Sequence, residues 1–256
     1  MHKAKGLSSL SILPNRVDED AVVRILRENL DNFESFYGEE RKNVGSITWI
    51  VDPNLPEGYN AAAVHGVAPS GKTVREIHIR RSPAIAQDAK TLAHEIMHLV
   101  RYDAGHALDI GVYNEAHRFP LAARLASMLE DPLVDKILQE KYEFDLLSGY
   151  KKQLRLFKRQ LRGFKQEPID PLEKARLMIG FTEMTLEWNL IKDGIALKEF
   201  YDYQSTFRAK FPNISRMGDD LISTVQAIGL ETPEKHIKIF NYIVEKYGLQ
   251  NVVYLR

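Results

Sequence analysis

Val74-Arg75-Glu76-Ile77-His78-Ile79-Arg80 alternates apolar and polar side chains strictly, and directly after it the period changes. Alternation at period two is the pattern of a strand with one buried face. From Ser82-Pro83 onward, Ile85, Leu92, Ile96, Leu99 and Val100 recur at helical spacing, with Ser82 as N-cap and Pro83 at the first helical position. This helix is expected to run to about Tyr102 and stop at Gly105. Upstream, the β-branched and aromatic residues 46–51 and the weaker run 60–67 read as two more strands. Pro69-Ser70-Gly71-Lys72 supplies turn chemistry for a hairpin between the last two. Residues 18–37 read as an amphipathic helix built on Ala21, Val22, Ile25, Leu26, Leu30 and Phe33, capped by Asp18 or Asp20. Downstream the pattern stays helical: 114–129, 131–165 with a break near 147–150, 171–192, 194–209 and 232–247. Gly149, Pro168, Pro171, Gly194, Pro212 and Pro233 punctuate these segments. The expected class is α+β, a small antiparallel sheet packed on the helix that follows it and then a mainly helical C-terminal part. Residues 1–135 would form the core and 136–256 the helical part completing a cleft, as two units or one continuous domain.

The chain has 256 residues, 44% apolar and 27% charged, the profile of an ordinary globular protein with room for a buried core. Its 35 basic and 35 acidic residues cancel, so no global field draws it to nucleic acid or to an anionic membrane, and neither is expected as a partner. It contains no cysteine, which excludes disulfides and leaves His, Asp and Glu to hold any metal. No run approaches the ~18 apolar residues of a membrane span. The stretch from Leu7 to Leu13 is short, serine-interrupted and without a small-residue cleavage site, so a cytoplasmic location is expected.

His94-Glu95-Ile96-Met97-His98 lies on the helix that follows the alternating strand. Four residues turn an α-helix by about 400°, so the two imidazoles leave nearly one face, a turn apart. That separation lets both reach one tetrahedral zinc at about 2.0–2.1 Å, giving one zinc per chain. Zinc lowers the pKa of a coordinated water to about 7, and the adjacent Glu95 is placed to take its proton. The bland alternative is a pair of histidines satisfied by solvent or core. Against it stands the apolar face of the helix, with both histidines off its centre and Gln87 and Thr91 above them.

Over residues 45–135 the succession of three strands, a His-Glu-x-x-His helix and a further helix with acidic residues resembles the zincin metallopeptidases. The resemblance implies hydrolysis of peptide bonds in a peptide or protein substrate, with Glu95 as general base. It also implies that the last strand before the zinc helix borders the cleft. Glu76, Ile77, His78, Ile79 and Arg80 would then be the edge strand, pairing with an extended substrate through its main chain. The metzincin extension would need Gly at 101 and His or Asp at 104, where this chain has Arg101 and Ala104. Leu129-Glu130-Asp131 is similar to the gluzincin segment that supplies a glutamate from a later helix. It differs in having Leu129 before the glutamate and 31 residues between His98 and Glu130.

Glu130 is accordingly the expected third ligand, with Glu115 and Asp131 as alternatives and Asp131 or Asp135 orienting a zinc histidine from behind. Glu130 shares its stripe with Ala123, Ala126, Ser127, Leu133, Val134 and Ile137, and a carboxylate buried there needs a strong partner. Glu115 has a simpler role in the first turn after an Asn114 cap, and Asp131 as the cap before Pro132. Asp103 and His106 are expected at the surface. For a donor to the transition-state oxyanion, His106, Tyr113, His117, Tyr142 and Tyr150 stay open.

One further run stands out. Lys151, Lys152, Arg155, Lys158, Arg159, Arg162 and Lys165 give seven basic residues in fifteen with no acid, above an apolar stripe of Leu154, Phe157, Leu161 and Phe164. This helix, 151–165, is read as a solvated face balanced by acids elsewhere, the other reading being a patch for nucleic acid or an acidic partner. The rivals to a metallopeptidase are a non-peptidase zinc hydrolase and a regulatory protein with a vestigial site acting through this basic helix. The intact Glu95 speaks against the vestigial case.

Overall fold

The computed structural model describes residues 15–27, 31–55, 59–68, 70–81, 86–191 and 198–256. The expected Ser82-Pro83 cap, Pro69, Gly194 and the stretch from Leu7 to Leu13 lie outside these residues. Four strands, β1 (Asn15–Val17), β2 (Thr48–Val51), β3 (Ala61–Val67) and β4 (Thr73–Ile79), form one sheet in the order β1-β2-β4-β3. The hairpin between β3 and β4 closes as expected, with Gly71 N–H donating to Ala68 O at 2.8 Å and Gly71 at φ +79°, where a side chain would be strained. The sheet is mixed rather than antiparallel, because β4 enters between β3 and β2 and runs parallel to β2. Burial explains the choice. Ile77 and Ile79 on β4 are sealed in the core, and a strand flanked on both sides is the natural place for them.

The remaining elements are helical, apart from one ribbon. Before β2 stand α1 (Glu19–Arg27) and α2 (Asp31–Glu40), which lie either side of residues 28–30 and cover the described part of the helix expected over 18–37, and Asp20 N–H donates to Asp18 Oδ1 at the first start. After β4 comes α3 (Ala86–Asp103), which ends at Gly105 with φ +75°, as the sequence indicated. β5 (Ile110–Val112) then pairs with the chain's last strand, β6 (Val253–Leu255). Gly111 lets this ribbon form, since a Cβ there would stand 2.5 Å from the Tyr254 ring.

A 3-10 turn (Glu115–His117) and a π-helical turn (Arg118–Ala123) lead into α4 (Arg124–Tyr142). α4 runs unbroken through Pro132, which is buried among the helix's core residues. Packing of α4 against α3 and against α6 (Pro171–Ile191) outweighs the roughly 3 kcal/mol that an interior proline costs. α5 (Leu147–Gly163), α7 (Lys198–Lys210), α8 (Pro212–Ile228) and α9 (Pro233–Lys246) complete the C-terminal part. The α+β class therefore holds. The division expected at residue 135 falls inside α4, and a single cluster of buried side chains runs from Val22 to Val253 across it. Among the described residues no helix is long and apolar enough to cross a membrane.

Candidate metal centre

Three helices each contribute a pair of polar side chains four residues apart, and the pairs face one another. His94 and His98 come from α3, Asp131 and Asp135 from α4, and Glu183 and Glu187 from α6. Residues at this spacing share one helical face, so close packing of α4 against both neighbours brings the faces together. The apolar remainder of each helix locks the arrangement: Ile96, Leu99, Leu125, Met128, Met178 and Met184 are all buried.

The geometry at the centre is one that could hold a metal ion. His94 Nε2 lies 3.0 Å from His98 Nε2, and Asp131 Oδ1 lies 3.2 Å from His98 Nε2 and 3.6 Å from His94 Nε2. A tetrahedral zinc with bonds of about 2.0–2.1 Å places its ligand atoms about 3.3–3.4 Å apart. The triangle thus matches three vertices of such a tetrahedron and leaves the fourth open. Asp131 Oδ1 is buried and has the two imidazoles as its polar neighbours, so a group placed between the three would satisfy it. Behind the triangle, Asp135 Oδ1 sits 2.8 Å from His94 Nδ1 and fixes the ring so that Nε2 points inward. Lys90 Nζ, one turn before His94, reaches the same Asp135 oxygen at 3.2 Å.

Four acidic side chains, Asp131, Asp135, Glu183 and Glu187, crowd together with two cations, Lys90 and Arg124, the latter bonded to Glu183 at 2.8 and 3.0 Å. This crowding of buried ionisable groups shifts their titrations strongly. Burial opposes charge on His94, but Asp135 and Asp131 outweigh it and raise the ring to about 10. Burial would likewise raise Asp131, yet its bonds to His94 and His98 hold it well below the usual carboxylate range. Burial pushes Glu183 up to about 7 against the pull of Arg124, and burial with repulsion from Glu183 pushes Glu187 well above its ordinary value. A metal bound by His94 would have to displace its proton, since a ligating imidazole is neutral.

Glu95, the expected base, is held by the sheet: Ala63 N–H on β3 donates to its Oε2 at 2.7 Å. Odd-numbered residues of β3 turn their N–H and C=O away from β4, because even-numbered Asn60 and Ala68 bond towards it. Among the described residues β3 is an edge strand, and its outer side lies beside Glu95. The expectation that Glu76, Ile77, His78, Ile79 and Arg80 form the edge is therefore corrected, since β4 is paired with β2 on one side and β3 on the other. His78 bridges Asp52 and Glu76 at 3.2 and 3.1 Å, and Arg80 binds the carbonyls of Tyr59, Pro53 and Leu55.

Glu130 is also corrected. It is buried as its stripe implied, but its partners are Arg101, at 2.6 Å, and His236 of α9, at 2.9 Å. One residue further along α4 is 100° around the helix, which is why Asp131 and not Glu130 faces the histidines. Glu115 sits in the exposed turn after Asn114, whose side chain accepts from Ala116 N–H at 3.0 Å, and it pairs with Arg118. Asp103 binds Arg75 and Gly45 N–H. Of the open oxyanion donors, Tyr142 OH donates to Glu40 and Tyr150 OH to Met184 O, and Tyr113 is 65% exposed on the ribbon.

Sequence reasoning did not single out Lys90, Glu183 or Glu187, and it missed three further neighbours of the centre. The buried phenol of Tyr59 feels the charges of Arg124, Glu183, Asp131 and Glu95. His65, on β3, stacks on Tyr102 at 4.0 Å, and burial followed by repulsion from His98 lowers it to about 4. Arg124 opens α4 and is buried by Phe157, 4.9 Å from its guanidinium. Of these, only Arg124 left a trace in the sequence, standing seven residues before Asp131 and so on the same face of α4.

No family model matches the chain, and no curated protein or solved structure is significantly similar to it.

Proposed function

We propose that the protein is a zinc-dependent hydrolase acting on peptide bonds, with His94, His98 and Asp131 as the metal ligands and Glu95 as the general base. The observation that carries this reading is the buried triangle of 3.0, 3.2 and 3.6 Å between Nε2, Nε2 and a carboxylate oxygen. Two imidazoles and one carboxylate with an open fourth position is the donor set of a catalytic rather than a structural zinc site. Zinc bound there would supply Lewis acidity, activating water and polarising a carbonyl. The chain's own groups do the rest. Asp135 holds the His94 tautomer, Ala63 N–H aims the Glu95 carboxylate, and Glu95 takes the proton as hydroxide is transferred to the substrate.

A peptide is favoured as substrate by the edge of β3 beside Glu95, where the main chain of Ala61 and His65, either side of Ala63, faces away from β4. This keeps the likeness to zincin metallopeptidases, with an aspartate in place of the gluzincin glutamate and β3 in place of β4 as the cleft border. The test is cleavage of a quenched-fluorescent peptide library by zinc-loaded protein and by Glu95→Gln. The variant is expected to keep its zinc and lose about 10²–10⁴-fold in rate. Wild-type rates in Glu95→Gln, or hydrolysis of esters with no peptide cleaved, would remove the peptidase reading.

A further inference from the structure

The basic run of α5 is balanced in number by acids elsewhere in the chain, but the described acids do not pair with it. Among the described residues none of its cations forms an ion pair or a side-chain hydrogen bond, although elsewhere in the chain Arg41, Arg75, Arg101, Arg124 and Arg208 all do. Lys151, Lys152, Arg155, Lys158, Arg159 and Arg162 fall within about 120° of the helix circumference and extend for about 17 Å along it. Tyr150, Leu154 and Leu161 occupy the opposite face and are buried, which fixes the helix to the body of the protein.

We infer that this face of α5 is a docking surface for double-stranded DNA, gripping phosphates without reading sequence. Charge complementarity selects the occupant. A duplex carries one negative charge per about 1.7 Å, so about ten phosphates lie along the length of the stripe. Insertion into a membrane would need the apolar face, and that face is committed to the core. Protein partners are anchored by aromatic and apolar side chains, and the exposed uncharged residues of α5 are Ser148, Gln153, Gln160 and Gly163. The absence of an aromatic in the stripe also disfavours single strands, which bind by base stacking. Arg, Lys and Gln are, in contrast, the side chains that position a protein on a duplex backbone. This surface is independent of the metal centre, and its test does not depend on catalysis.

The experiment is fluorescence anisotropy of a labelled duplex of about 20 base pairs with the full chain, titrated between about 50 and 200 mM salt. One variant carries Lys152→Gln, Arg155→Gln, Arg159→Gln and Arg162→Gln, all exposed positions of α5. A control of equal charge change carries Lys42→Gln, Lys72→Gln, Lys136→Gln and Lys238→Gln, all exposed on other elements. Circular dichroism and zinc content should be unchanged in both. The inference expects micromolar binding by the wild type, at least a tenfold loss in the α5 variant, and a salt slope reduced by about 3 to 4. The control should bind as the wild type does. No binding, equal loss in both variants, or α5-dependent binding to phosphatidylserine vesicles or polyglutamate without binding to DNA would overturn it.

Discussion

Replacing Glu130 and replacing Asp131 should have opposite consequences, although the two acids are neighbours on one helix. Glu130→Gln removes the shared anion of a buried triad in which the Arg101 side chain is 11% exposed, Glu130 6% and His236 0%. Removing one partner from such a set leaves charge without compensation and costs about 3–5 kcal/mol. For a chain of this size each kcal/mol is worth about 2–4 °C, so the midpoint of unfolding should fall by roughly 6–20 °C. Zinc affinity of the folded variant should stay near the wild-type value, because no atom of Glu130 faces the histidines. Asp131→Asn keeps the shape but exchanges a charged ligand oxygen for a neutral one. Its zinc affinity should fall by more than the 10–100-fold typical of groups behind the ligands. Calorimetry of the metal-free proteins and competition with a chromophoric zinc chelator separate the two effects. A Glu130→Gln protein that melts like the wild type but no longer binds zinc would refute the assignment of Asp131 and the reasoning from burial together.

Asp135→Asn should weaken zinc by about 10–100-fold without abolishing it, read by the same chelator competition, since it orients His94 without touching the metal. An unchanged affinity would remove Asp135 from the centre. The stability of the metal-free protein should fall as pH rises from 5 to 8. Glu183 titrates at about 7 against an ordinary 4.5, and His94 at about 10 against 6.5, so over these windows the native state keeps protons the unfolded state has lost. Asp131 is depressed and acts with the opposite sign only in more acidic solution. The gain in unfolding temperature on adding zinc should grow over the same interval, because zinc displaces the His94 proton. A gain independent of pH between 5 and 8 would contradict it.

The parts legible in the sequence are those set by strong periodicity or by glycine at a required turn. β4, α3, the hairpin at Gly71 and the stop at Gly105 all belong here. What was not legible has several physical causes. Short strands such as β1, β5 and β6 carry too few residues to establish a period, and β5 and β6 find each other only across most of the chain. Proline was read as punctuation of one kind when it acts in several ways. Pro212 opens α8, a helix not anticipated, while Pro132 is carried inside α4 by the packing around it. The error at Glu130 came instead from partners distant in sequence. The argument that a buried carboxylate needs a strong partner was sound, but Arg101 and His236, 29 and 106 residues away, are that partner. The order of strands decides which is the edge, and alternation within β4 carries no information about its neighbours.

Anomalous diffraction at the zinc edge from crystals of the zinc-loaded protein tests the central claim most directly. One peak per chain is expected, at about 2.0–2.2 Å from His94 Nε2, His98 Nε2 and an Asp131 oxygen. A peak bound to Glu130 or Glu115, or no peak between α3 and α4, would contradict the account.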